Sequence, residues 1–418
     1  MIQNDNQPRL DHRERIRVLV LPSDTTGVGW GKFRSVDPHV MLQNMYPDDF
    51  HVDIDYNPQI NNVNYWKQYQ IVHVHRNIGQ SYDQTVNIIN FLKSIGVVVI
   101  VDLDDYWLPG KEHPIHTLIV QDKIDQKIMA NLRVASYVTT TTNIFADEIR
   151  KLNRNVVVLP NGINPEEQQY KEPTESSDRI RVGWLGGSSH LHDLKLLGGF
   201  VNRNSNIKDK LQYVLCGFDT RGTVTEINQQ TGERTQRAIK PEETVWARYE
   251  EIFTDNYKIV TPEYHKFLME FKQEEFPNEK DFGYRRVWTK HINTYATNYS
   301  KFDISLAPIK NHMFNRVKSQ LKVIEAGFYK KAIIASEVGP YTIDLKHSMK
   351  NGMLGDGNAL LVREERNHSD WAKYIKTLTY NPNMITDLGE RLYETVKDKY
   401  DLRNVTKDRA EWYKSLIK

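Results

Sequence analysis

The sequence predicts an α/β chain made of two doubly wound halves, and three observations carry that prediction. The first is the stretch from Phe302 to Tyr341, FDISLAPIKNHMFNRVKSQLKVIEAGFYKKAIIASEVGPY, which reads as strand, loop, helix, strand. Residues 303–307 turn apolar before Pro308, and residues 332–336 form a β-branched run closed by Gly339-Pro340, so both suit buried strands of a parallel sheet. The second is repetition: apolar strands at residues 16–21 and 180–184 each run into a glycine-containing loop. The third is size, because 418 residues exceed one compact core and suit two domains of about 150–200 residues.

Composition narrows the function classes. A net charge of +2 gives no bulk field for nucleic acid or for an acidic partner. Cys216 is the only cysteine, which excludes an internal disulfide and fits a reducing, cytoplasmic setting. The polar start, MIQNDNQPRLDHRERIR, lacks the apolar core of a signal peptide, and the longest apolar run, residues 95–101, is far too short to cross a bilayer. Peripheral contact with a membrane surface is compatible with this composition.

In chain order, strand 16–21 delivers SDTTGVGWGKFRS, where Gly27, Gly29 and Gly31 make a loop that lets backbone approach a ligand. It is neither a phosphate-binding P-loop, since Thr26 occupies the first glycine position and Phe33 follows Lys32, nor a dinucleotide fingerprint, which needs glycine at Lys32. Strand 70–75 places His73 and His75 on one side, as packed residues or as a catalytic group. A helix over 85–95 stops at Gly96, and strand 97–101 leads into Asp102, Asp104 and Asp105. Carboxylates this close raise one another's pKa unless cations, donors or water compensate them. They read as a metal clamp or as capping and hydrated surface.

Further on, a helix at 123–135, a strand at 137–142, a helix at 144–152 and a strand at 156–159 lead to Pro160-Asn161-Gly162, a turn whose Asn and Gly tolerate positive φ. Residues 164–178 are polar and proline-punctuated, the best linker in the chain. Strand 180–184 then opens into Gly186, Gly187, Ser188 and Ser189 before a helix near Leu191, a plausible phosphate nest with His190, His192 and Lys195 as nearby basic groups. His190, His192 and Asp193 also suggest zinc, but no further ligand stands in register. Strand 211–217 follows. Residues 219–301 are an elaboration with helical pieces at 245–253, 262–271 and 284–299, and after strand 359–362 come helices at 369–378, 384–400 and 405–417.

The helix over 318–329 carries two stripes. Leu321, Ile324 and Phe328 recur at helical spacing toward the sheet, while Lys318, Lys322 and Glu325 share another face. Two lysines one turn apart repel by about 0.2–0.5 kcal/mol on a bare helix, a cost that a bound anion reverses. Arg316, Lys318 and Lys322 suit a diphosphate and Glu325 a sugar or ribose hydroxyl; the alternative is an ordinary solvated face.

The string KSQLKVIEAGFYKKAIIAS, with DISLAPI before it and PNGI upstream, resembles the carboxyl-terminal half of family-4-type glycosyltransferases of the GT-B fold. That resemblance implies two Rossmann-like domains facing each other across a cleft. Residues 1–163 are then the acceptor-side domain, 164–178 the linker, 179–398 the nucleotide-sugar domain with an insert near 219–301, and 399–418 a helix crossing back to the first domain. It further implies transfer of a hexose from a UDP- or GDP-sugar to a hydroxyl acceptor such as a glycan, with retention and without a required metal. Donor contacts would come from Gly186, Gly187, Ser188, His190, Arg316, Lys318, Lys322 and Glu325, and Asp104, Asp105 or His75 would orient the acceptor. Two departures stand out: Asp replaces a frequent His in the 102–107 loop, and Val317 stands where many members carry a first glutamate eight residues before the second. A nucleotide-sugar 2-epimerase and a non-catalytic binding or assembly protein are the alternatives on the same fold.

Overall fold

Runs of Val, Ile and Leu too short for helices and buried on both faces build two parallel sheets. The computed structural model describes residues 15–22, 31–78, 82–227, 231–232, 234–254, 283–350 and 353–417. The first sheet contains β1 (Ile16–Leu21), β2 (Phe50–Ile54), β3 (Ile71–His75), β4 (Val98–Asp102), β5 (Tyr137–Thr140) and β6 (Val156–Val158) in the order β2-β1-β3-β4-β5-β6. Its side chains alternate between two cores: Val99 and Val101 of β4 pack with Leu92 and Leu132, whereas Ile100 packs with Val18, Val20 and Ile71 on the other face.

The second sheet repeats the plan. It contains β7 (Ile180–Leu185), β8 (Leu211–Phe218), then, after the antiparallel hairpin β9 (Thr223–Ile227) and β10 (Arg234–Ala238), β11 (Tyr284–Trp288), β12 (Ile304–Ala307) and β13 (Ala332–Ser336). A small hairpin of β14 (Met349–Lys350) and β15 (Met353–Leu354) precedes β16 (Leu360–Val362), and the sheet order is β11-β8-β7-β12-β13-β16. The chain thus has the two-domain α/β architecture that its strand and loop pattern predicts.

The domains are tied twice at one place. Ile163 N–H donates to the Tyr400 carbonyl at 2.8 Å, and Leu402 N–H donates to the Ile163 carbonyl at 2.8 Å. From there the helix Leu402–Leu416 crosses back and buries Ala410 and Tyr413 in the core of Val18, Val20 and Phe50. The Tyr413 hydroxyl meets His39 Nε2 at 2.9 Å, and Lys414 pairs with Asp49 at 2.5 Å. The 160–162 turn works differently from its sequence reading: neither Asn161 nor Gly162 has positive φ. Gly162 is small because a Cβ there would lie 2.9 Å from the Leu402 Cα, so close chain crossing sets the requirement.

The segment 284–299, expected as a helix, is instead β11 followed by a short 3-10 helix, Tyr295–Lys301. Pairing along β8 overrides local propensity, and both buried arginines of the strand find carboxylate partners, Glu250 buried and Glu175 partly exposed. Arg286 Nε donates to Glu250 at 2.7 Å and Arg285 to Glu175 at 2.8 Å. The expected helix at 245–253 is present as Val245–Thr254, and the piece at 262–271 lies outside the described residues. β2 and the helix Asp37–Met45 had no clear apolar period and were not anticipated.

A buried ion pair fixes the carboxyl edge of the first sheet. Arg34, 1% exposed, donates to both oxygens of Asp102, at 3.0 Å from Nε and 2.6 Å from Nη2. Its Nη1 donates to the Leu159 carbonyl at 2.7 Å and to Asn161 at 3.1 Å. Replacing Arg34 by Met strands a buried carboxylate and is expected to cost about 3–5 kcal/mol in denaturant unfolding. The double variant Arg34→Met/Asp102→Leu should recover a large part of the loss; equal losses in single and double variants would contradict this account.

Candidate active site

The carboxyl ends of β7, β12 and β13 open on a cleft of about 560 Å³. It is lined from the second domain by Gly186, Gly187, His190, Lys318, Lys322 and Glu325, and from the first by Asp104 and Asp105. The helix Leu321–Phe328 follows a short helix, Met313–Arg316, so the predicted continuous helix begins three residues later than expected and leaves Lys318 on the intervening turn.

Lys322 is held rather than free. Its ammonium donates to the Leu185 carbonyl and lies 5.0 Å from the centroid of the Trp184 ring. Burial, reinforced by neighbouring Lys318, lowers its pKa to about 8. Two close approaches keep this corner narrow. A Cβ on Gly186 would lie 2.4 Å from the Trp184 ring and 3.1 Å from Lys322 Nζ. Gly217, at φ +99°, would place a Cβ 2.3 Å from the Gly186 carbonyl oxygen.

Glu325 is buried, and burial raises its pKa well above the ordinary carboxylate value. The hydroxyls of Tyr295 and Tyr299 both donate to it, the latter at 3.1 Å. Asn298, on the same 3-10 helix, lines the cleft fully buried, with neither amide atom hydrogen-bonded. These three residues lie in the segment read as an α-helix. The signal that marks them is the polar aromatic pair at Tyr295 and Tyr299.

The other predicted donor residues divide. His190 lines the cleft, but burial and Lys318 outweigh its bond to Asp193 and lower its pKa to about 4, so it is a neutral ring and not a cation. Its Nδ1 faces Asp193 at 2.9 Å, and its backbone N–H donates to the Tyr249 hydroxyl at 2.8 Å, which fixes the loop. Ser188 is exposed and borders an adjoining recess with Arg221 and Gly217. Arg316 stands apart: it is exposed and donates to Asn311 at 2.7 Å. Lys290, not singled out in the sequence, also lines the cleft. Lys318 lies 4.7 Å from the centroid of the Phe314 ring.

Across the cleft, Asp104 accepts from His75 Nε2 at 3.1 Å and Arg76 Nη2 at 2.9 Å, and Arg76 also reaches Asp105 at 3.2 Å. Burial opposes charge on Asp104, but Arg76 and His75 outweigh it and hold the group well below the ordinary range, ionised. Arg76 accomplishes this from φ +63°, a left-handed conformation that costs a non-glycine residue about 1 kcal/mol or more. His75 is fully buried behind Asp104, and His73 is buried on the same strand, 4.0 Å from Asp102. Among the glycines of the first loop, Gly31 begins a helical turn in which a Cβ would meet nothing within 4 Å; Gly27 and Gly29 lie outside the described residues.

No family model and no curated protein matches the sequence. Solved structures do match in shape. The Anabaena protein HepE, solved with UDP and glucose, superposes with a TM-score of 0.57 at 12% identity, over 96% of this chain and 100% of its own. Sucrose-phosphate synthase from Thermosynechococcus elongatus gives 0.59 at 14% identity, over 96% and 99%, and a glycosyltransferase from Rickettsia africae gives 0.52 at 13%, over 97% and 100%. At such identities the likeness speaks for architecture: two facing parallel sheets, a cleft between them and a returning terminal helix give this chain the GT-B fold.

Proposed function

We propose that the protein is a glycosyltransferase that moves a hexose from a nucleotide diphosphate sugar to a hydroxyl acceptor, such as a glycan. The observation that carries this reading is the meeting, at one sheet edge, of two ammonium groups, a glycine loop and a buried glutamic acid of raised pKa, opposite ionised Asp104. In such a reaction the bond from the sugar's anomeric carbon to phosphate oxygen breaks and its electron pair leaves with the diphosphate. Lys318, Lys322 and the Gly187 N–H would receive that developing charge, where fixed donors lower a barrier most; the Gly186 N–H is taken by the Cys216 carbonyl at 3.3 Å. They supply counter-charge without a metal.

Glu325, its pKa raised by burial, and Asn298 offer donor and acceptor groups to a ribose or base. That a similarly folded Anabaena protein was solved with UDP and glucose supports a uridine nucleotide and a hexose. At the other wall Asp104 would accept a hydrogen bond from the acceptor hydroxyl, with His75 and Arg76 as its positioning residues and Asp105 at the rim. With retention of configuration, the hydroxyl oxygen bonds to the face that the phosphate leaves, and its proton passes to a phosphate oxygen.

Thermal shifts against UDP, GDP and their sugars test the donor. At about 100 times its dissociation constant a bound nucleotide adds roughly 2.7 kcal/mol of stability, and no shift with any of them would sink the proposal. Lys322→Ala should weaken UDP by about 1.5–3 kcal/mol, the worth of a hydrogen bond to a charged group. Since the ammonium is the binding form, UDP affinity in the wild type should fall as pH rises through about 8, and Lys322→Arg should abolish that fall. Isothermal titration across this range decides it.

Glu325 supplies a further test. From its unfolded value of 4.5 upward, the native protein holds a proton that the unfolded chain releases, so native stability declines with rising pH. Glu325→Gln removes that slope. Its stability advantage over wild type should therefore grow between acidic and neutral pH in denaturant unfolding, and parallel profiles would show the group to be ionised.

A further inference from the structure

Two residues beyond His190, a second group of side chains converges outside the cleft. His192 is 9% exposed, and its Nε2 is buried without a hydrogen-bond partner, 3.4 Å from Asp193 Oδ1. His312, 120 residues later in sequence, brings its ring to 5.5 Å from that of His192, with a buried Nδ1 that also lacks a partner. The potential ligand atoms of His192, Asp193 and His312 all lie within 4.8 Å of one another.

Leaving such nitrogens unsatisfied is costly, about 1–3 kcal/mol for each buried group. Two imidazole nitrogens and a carboxylate oxygen turned toward one another need a proton or a cation between them. We infer that His192, Asp193 and His312 bind a divalent transition metal of the zinc class. Two nitrogen donors and one oxygen suit Zn²⁺ or Co²⁺ and not Mg²⁺ or Ca²⁺, which take all-oxygen shells. Ligand bonds of about 2.0–2.2 Å would draw the rings inward by about an ångström, a side-chain adjustment.

The surroundings are those of a built site. Asp193, fully buried, accepts from the Lys310 N–H at 2.8 Å, Asn315 Nδ2 at 2.8 Å and His190 Nδ1 at 2.9 Å, an outer shell that fixes the carboxylate. The Lys310 ammonium is drawn away to Glu112 at 2.9 Å, which reduces positive charge beside an ion. The first domain closes over the site as well, since a Cβ at Gly110 would lie 3.7 Å from the His312 ring. A bound ion would therefore lock the 190–194 segment, which bears His190 of the cleft, to the 310–316 segment.

The experiment is a Co²⁺ titration of the full-length, chelator-stripped protein, followed by visible absorption, with Zn²⁺ as competitor. Wild type should take up one equivalent with the intense bands of a low-coordinate site, and Zn²⁺ should displace it. His192→Ala and His312→Gln should each weaken binding by more than about 100-fold, beyond the 10–100-fold expected of the outer-shell variant Asn315→Ala. Circular dichroism melting of the metal-free proteins confirms that the variants fold; should His192→Ala unfold, His312→Gln reads the same site. A wild-type spectrum that stays that of aqueous Co²⁺, or bands that persist undiminished in the folded variants, overturns the inference.

Discussion

The Arg34–Asp102 pair is the constraint on which the cleft depends. Asp102 ends β4 and is the last ordered step before Asp104 and Asp105, while Arg34 sits in the turn that follows the first glycine loop. One guanidinium therefore ties together that turn, the end of β4 and, through Leu159 and Asn161, the exit from the first domain. Asn161 continues the chain of contacts by donating to Ser319 at 3.2 Å, beside Lys318 on the opposite wall. A buried pair of this kind adds little net stability over apolar residues of equal size. What it supplies is directional: five donors in a fixed fork specify where three segments must meet.

Apolar contacts carry the same connection across the cleft. Val317, where the resemblance led us to expect a glutamate, is fully buried in the first domain's cluster with Leu103 and Trp107. The departure thus has a structural reason, since a carboxylate there would be buried among apolar groups without a partner. Phe33 adds an edge contact with Tyr295 at 6.5 Å, and Lys310 with Glu112 adds a charge pair at the rim. Opening the cleft would expose these groups together, so closure is favoured by burial as well as by charge.

The second-domain wall of the proposed donor site keeps little negative charge to offset its lysines. Burial raises the pKa of Glu325, leaves His190 a neutral ring and lowers Lys322 to about 8. A site so arranged is poorly compensated when empty and well compensated when a dianion enters. Binding and leaving-group stabilisation then draw on one electrostatic source, with the tyrosines and the glycine backbone already in place.

Much of this was legible in the sequence because it is local. Ile16–Leu21 and Ala332–Ser336 have the expected bounds, since a buried parallel strand needs only a short apolar run that ends at a polar loop. Lys322 and Glu325 share one face of the helix as their spacing predicts, whereas Lys318 reaches the same cleft from the turn before it. The sequence by itself therefore determined the two-sheet architecture and one wall of the cleft. Tertiary structure alone decided the rest. Strand pairing made β11 of residues that look helical, chain crossing and not turn conformation required Gly162, and His312 meets His192 only because two loops of one sheet edge fold side by side. Contacts between residues more than a hundred positions apart leave no periodicity, and burial, which sets the charge of Glu325 and His190, is a property of the folded chain and not of its order.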